Sequence, residues 1–171
     1  MPTYTQIGSA VTVGAGGATN ITFSSIPATY TDLVIQLSAR TDRGSASADN
    51  LSLEFNSDTT SGNYISRRLI GDGASASGES IAKNAGLLPA TTVTASTFGN
   101  IQIYIPNYLA SIEKSYAFDS VTENNGTTAY AVLGGGRWTG TSAITNIKLF
   151  SANAANIIQH STAYLYGVSN A

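Results

Sequence analysis

Apolar side chains recur at every second residue in one stretch of this chain after another. Leu33, Ile35 and Leu37 alternate with Val34, Gln36 and Ser38. Leu51, Leu53 and Phe55 alternate with Ser52 and Glu54, and Ile101, Ile103 and Ile105 with Gln102 and Tyr104. Ile147 and Leu149 flank Lys148 in the same way. A helix repeats about every 3.6 residues and a strand every two, so this spacing commits the segments to strands with one buried face. Further strands are predicted over 6–13, 20–24, 64–70, 115–122, 129–133, 156–159 and 163–168.

Turn chemistry separates these runs. Asp72-Gly73 and Asn125-Gly126 tolerate the positive φ that tight hairpins require, and Gly14 to Gly17 make another break. Pro27 and Pro106 each follow an isoleucine at a strand end, where a missing N–H does least harm. The one helical candidate is a short segment at 80–88. Two Ser/Ala/Gly-rich stretches, 41–50 and 74–92, are predicted as loops, and loops of that length are often functional. The pattern predicts an all-β antiparallel β-sandwich, jelly-roll-like, as a single domain over 1–171.

Composition narrows the function classes. The 171 residues are enough to bury a core without crosslinks, and the chain has no cysteine. Charged residues are 11% of the chain and the net charge is −2, so there is no broad attraction for nucleic acid or an anionic membrane. Ser and Thr supply 21 residues each and Asn 13, so the surface is built largely from small neutral polar groups. Such a surface repels its neighbours weakly and suits assembly. The opening Met1-Pro2-Thr3-Tyr4 has neither a basic segment nor an apolar stretch, so no signal peptide is expected. No apolar run approaches the roughly 20 residues that span a bilayer.

Catalytic and metal-binding patterns are weak. His160 is the only histidine; Ser161 beside it would point to the opposite face of a strand, and no G-x-S-x-G surrounds any serine. Asp42, Asp49, Glu54 and Asp58 form the densest acidic region but lack calcium-loop spacing. Gly134-Gly135-Gly136 lacks the Lys-Ser/Thr of a phosphate loop and reads as a strand with close backbone approach or a bulge. No enzyme activity, cofactor or metal is expected. A glycan-cleaving enzyme would need a carboxylate pair about 5–10 Å apart in a groove.

The candidate contact residues are Tyr4, Arg67, Arg68, Trp138, Tyr164 and Tyr166. Adjacent arginines on a strand point to opposite faces. One therefore meets a sheet interior or a subunit contact, unless both discourage pairing at an edge. Tyr and Trp dominate interface hot spots and also stack on sugars. Trp138 is expected as an anchor between the sheets.

Several segments carry a resemblance when taken together: Phe23-Ser24-Ser25-Ile26-Pro27-Ala28-Thr29-Tyr30-Thr31-Asp32-Leu33, Leu53-Glu54-Phe55-Asn56-Ser57-Asp58, Asn63-Tyr64, Ile105-Pro106-Asn107-Tyr108, Gly136-Arg137-Trp138, Ala143-Ile144-Thr145 and Ser161-Thr162-Ala163-Tyr164-Leu165-Tyr166-Gly167-Val168. Their order and spacing resemble small virion structural proteins of tailed bacteriophages, especially marine phages, described as decoration or tail-associated. The resemblance implies a virion component and no catalytic residues. The leading expectation is a capsid decoration or cement protein on the capsid exterior. Its partners would be the major capsid protein and copies of itself, with a trimer expected around local symmetry axes. The alternative is a tail or fibre module that binds host-surface glycans.

Overall fold

The computed structural model describes residues 1–126 and 129–169. Within them the alternating segments form β1 Thr3–Gln6, β2 Val11–Thr12, β3 Asn20–Phe23, β4 Asp32–Ala39, β5 Ala48–Phe55, β6 Tyr64–Gly71 and β7 Ala76–Ser80. They continue with β8 Asn84–Pro89, β9 Gly99–Ile105, β10 Lys114–Thr122, β11 Tyr130–Trp138, β12 Ile147–Ser151 and β13 Thr162–Ser169. One 3-10 turn, Ser61–Asn63, leads into β6.

Among the described residues the strands make two antiparallel sheets. Nine strands form the larger, in the order β1-β13-β4-β9-β10-β11-β6-β7 with β2 beside β13; four form the smaller, β3-β12-β5-β8. The sheets pack together as a β-sandwich. This strand order does not show the eight-strand arrangement of a jelly roll.

The core lies between the sheets. Leu33, Ile35 and Leu37 of β4, Ile101, Ile103 and Ile105 of β9, and Leu165 of β13 share one buried cluster with Leu51, Leu53 and Phe55 of β5 and Ile147 and Leu149 of β12. Burying each such side chain is worth about 1.5–3 kcal/mol, so this cluster is the main force holding the sheets together. Aromatic rings fill one end. Trp138 of the larger sheet lies 5.6 Å from Phe55 of the smaller and 6.4 Å from Tyr64. Tyr116 meets Phe55 edge-on at 5.9 Å. Burial pushes the Tyr116 phenol up to about 12. Trp138 therefore stands between the sheets.

The glycine run of β11 belongs to the same packing. In register, Gly134 faces Phe118 and Gly136 faces Tyr116. A Cβ at either position would overlap the facing ring, so only glycine leaves room for the two stacked aromatics.

Four expectations are corrected. Residues 80–88 are not a helix, because Lys83 at φ 61° and Gly86 at φ 129° stand outside the helical region and Asn84–Pro89 pairs with β5. Residues 74–92 are not one loop but contain β7 and β8. The Asp72 carboxylate accepts from Ala74 N at 2.9 Å and Ser75 N at 2.6 Å and closes the β6–β7 hairpin, with Gly73 at φ 89°. An exposed edge strand needs no apolar residues, which is why Ala76–Ser80 reads as loop. Of the strand expected over 6–13, only Gln6, which ends β1, and Val11–Thr12, which form β2, are strand, and Gly8 at φ 67° breaks the run. Residues 156–159 make only isolated bridges from Ile157 to Ala18 and Thr41.

Candidate interaction surface

The inner face of the larger sheet is consumed by the core, so the alternate residues of its strands point outward, most of them to solvent, although Asp32, Val34 and Val168 are buried there. That face has two chemically distinct halves.

Strands β1, β13, β4 and β9 carry tyrosines. Tyr4 stands opposite Val168, Tyr166 and Tyr104 flank Val34 from the two neighbouring strands, and Tyr164 stands opposite Gln36. The Tyr164 and Tyr166 rings are stacked with centroids 6.4 Å apart. Tyr104 is held by its hydroxyl, which donates to Asp32 Oδ2 at 2.9 Å; burial and then this carboxylate raise its phenol above the ordinary value. Beside these rings, Gln36 Nε2 donates to Gln102 Oε1 at 2.6 Å.

Strands β10, β11 and β6 carry aliphatic residues instead. Ile65, Leu69, Val121 and Leu133 are 43%, 62%, 49% and 66% exposed. Leu133 and Leu69 are direct cross-strand partners. Two open clefts flank this pair. One, of ≈ 400 Å³, is lined by Arg67, Leu69, Gly78, Ser80 and Leu133. The other, of ≈ 460 Å³, is lined by Leu69, Gly71, Ala76, Val121, Ala131 and Leu133.

The contact candidates divide between surface and interior. Tyr4 and Arg67 are exposed, and Tyr164 and Tyr166 half-buried, all on this outer face. Arg68 and Trp138 are buried between the sheets. The two arginines do point to opposite faces. Arg68 donates to Glu79 Oε2 from Nε at 2.9 Å and Nη2 at 2.5 Å, and to Asn50 Oδ1 from Nη1 at 2.7 Å. Arg67 donates outside to Ser66 O and Ser80 Oγ.

The acidic region is dispersed rather than convergent. Asp42 accepts from the backbone and side-chain amides of Asn156. Asp49 accepts from Ser151 Oγ at 2.7 Å and Asn153 Nδ2 at 2.6 Å. Glu54 pairs with Lys83 at 2.7 Å and Lys148 at 3.3 Å. Among the described residues no group of three or more metal-ligating side chains is found. His160, exposed at φ 72°, lines a cleft of ≈ 380 Å³ with Asp42, Ser96, Asn156 and Gln159. Ser161 is fully buried, and its hydroxyl accepts from Arg40 N at 3.3 Å rather than facing this cleft.

The aliphatic half escaped sequence reading because β6 inverts the usual pattern. Its inward positions include Ser66 and Arg68, and its outward ones Ile65 and Leu69. Arg67 between two outward aliphatic residues is the signal that marks the face. No protein-family model matches the chain, and no curated protein is significantly similar to it.

Proposed function

We propose that this protein is a structural component of a bacteriophage virion, a decoration protein that binds the major capsid protein on the outside of the head. The observation that supports the reading is the tyrosine half of the outer sheet face. Tyr4, Tyr104, Tyr164 and Tyr166 project there from neighbouring strands among neutral amides. Tyrosine contributes large contact area at low entropic cost and is enriched where proteins bind one another. A chain with 11% charged residues also offers little repulsion when many copies crowd one shell. Each copy binds modestly, many copies share one lattice, and the joints resist the pressure of the packaged genome. The work is burial and not catalysis.

Co-sedimentation of the purified chain with capsids lacking it tests this reading. Saturable binding to mature shells, weakened by loss of the tyrosines, is the expected result; no association at any accessible concentration removes the proposal. A second reading is favoured by the Gln36–Gln102 amide pair beside the rings, since amides and aromatic platforms together suit sugars. In that reading the protein is a tail module, and a glycan array yields binders.

A further inference from the structure

The aliphatic half of the outer face has features that the capsid reading does not use. In an ideal sheet, neighbouring strands are about 4.8 Å apart and same-face residues about 6.8 Å apart along a strand. On that grid one row runs Asp119, Leu133, Leu69, Gly78 across β10, β11, β6 and β7. The next row runs Ala117, Gly135, Arg67, Ser80. Asp119 and Arg67 thus occupy diagonal corners, with β11 passing between them. Asp119 is exposed, and among the described residues no hydrogen bond or ion pair engages its carboxylate. Among the described residues the Arg67 side chain donates only to Ser66 O and Ser80 Oγ, which leaves part of its fork unused.

We propose that a second copy of this chain docks on this face, the two sheets meeting about a two-fold axis that lies between them. An axis placed perpendicular to the line joining Asp119 and Arg67 brings Asp119 of each copy over Arg67 of the other. The same operation carries Leu133 of one copy over the cleft between Leu69 and Arg67 of the other. It carries Leu69 over the cleft lined by Leu133, Ala131 and Gly71. Ridge meets cleft and charge meets charge twice, which is what an isologous contact requires. Leu133 and Leu69, at 66% and 62% exposed, are the side chains that gain most. The pair is a dimer and not the trimer expected from shell geometry, and it stands whether or not the tyrosine half binds a capsid.

Sedimentation equilibrium of the full chain, from about 1 µM to about 1 mM, reads the association. The expected result is a monomer–dimer equilibrium. Asp119→Arg and Arg67→Asp each weaken it at least about tenfold, and the double charge exchange recovers most of that loss. Leu133→Asp abolishes it. All three positions lie on an exposed face, and near-ultraviolet circular dichroism confirms that each variant is folded. A wild type that stays monomeric to about 1 mM overturns the inference. So does a trimer, a dimer indifferent to the single variants, or a double variant that fails to recover. Capsid co-sedimentation of the Leu133→Asp monomer separates the two readings. Retained binding with no wild-type dimer overturns the pairing alone. A wild-type dimer that ignores capsids overturns the decoration reading alone.

Discussion

Trp138 Nε1 donates to Asp58 Oδ2 at 2.7 Å, which ties the end of β11 in the larger sheet to the turn that follows β5 in the smaller. Asn63 Nδ2 holds the same oxygen at 2.8 Å. Together, with Trp138 the stronger cause, they bring the Asp58 carboxyl from its ordinary 3.8 down to about 2. The folded state therefore binds this proton less readily than the unfolded chain. The resulting stabilisation is complete above about pH 4 and is lost as pH falls toward about 2. Asp58→Asn is expected to lower the melting temperature at pH 7 and to flatten its decline across that window. Thermal melts of both proteins from pH 2 to pH 7 measure it; parallel curves count against the assignment.

Edge strand β7 is pinned by one ion pair. Glu79 on the strand receives Arg68 from the sandwich interior at 2.5 Å, with the Glu79 side chain 41% exposed. Glu79→Gln keeps the shape and leaves the buried guanidinium without a counter-charge. Because Glu79 meets solvent, the expected cost is about 1–2 kcal/mol, below that of a fully buried pair. Hydrogen exchange is expected to quicken over Ala76–Ser80 before it does elsewhere. Uniform quickening across both sheets would instead mean that the pair serves global stability.

The legible part of this fold follows from which residues the core demands. Leu33, Ile35 and Leu37, or Ile101, Ile103 and Ile105, face a buried cluster, and alternation alone locates their strands. Strand β7 has no buried residue, so no pattern announces it. Strand β8 is buried at all six positions, so it has no polar phase to contrast with, and its two adjacent leucines fit a helix equally well. The surface follows the same logic. Tyrosines stand out by type wherever they lie, whereas the exposure of Leu69 and Leu133 depends on strand phase and on the sheet they pair within. Gly134 and Gly136 were readable as close approach, but their ring partners were set by register.

Gly134→Ala places a methyl group where the Phe118 ring lies. Overpacking of this kind costs about 1–3 kcal/mol. Adding Phe118→Leu is expected to recover part of that loss, because the shorter side chain vacates the space. Urea denaturation of the two single variants and the double variant supplies the coupling; strict additivity would show that the two positions do not share a site.

Lys114 is buried with its ammonium donating to backbone carbonyls of Ala110 at 2.6 Å, Ile112 at 2.5 Å and Thr141 at 3.3 Å. Burial lowers its affinity for the proton. Lys114→Met fills similar volume but leaves three carbonyls without this donor. A loss of about 1–3 kcal/mol is expected, with faster exchange in the segments around Ala110 and Thr141. A variant as stable as the parent would mean that water replaces the ammonium.

Tyr164→Ala with Tyr166→Ala removes two neighbouring rings from the outer face without touching the core. Capsid binding is expected to fall at least about tenfold, while the urea midpoint moves little. Unchanged binding would exclude this half of the face as the contact.

The middle of the larger sheet has a consequence in time. Strand β4 is flanked by β9 and β13, and Asp32 pairs with Val168. A nascent chain makes β4 early and must hold it unpaired on one side until β13 has been synthesised. Sheets closed by such distant partners fold slowly, in milliseconds to seconds. During that wait one edge of β4 is open to whatever else is nearby, including the same strand of another copy. Abundant production of this protein thus calls for rapid completion of β13, and a chain cut before residue 162 should aggregate rather than fold short.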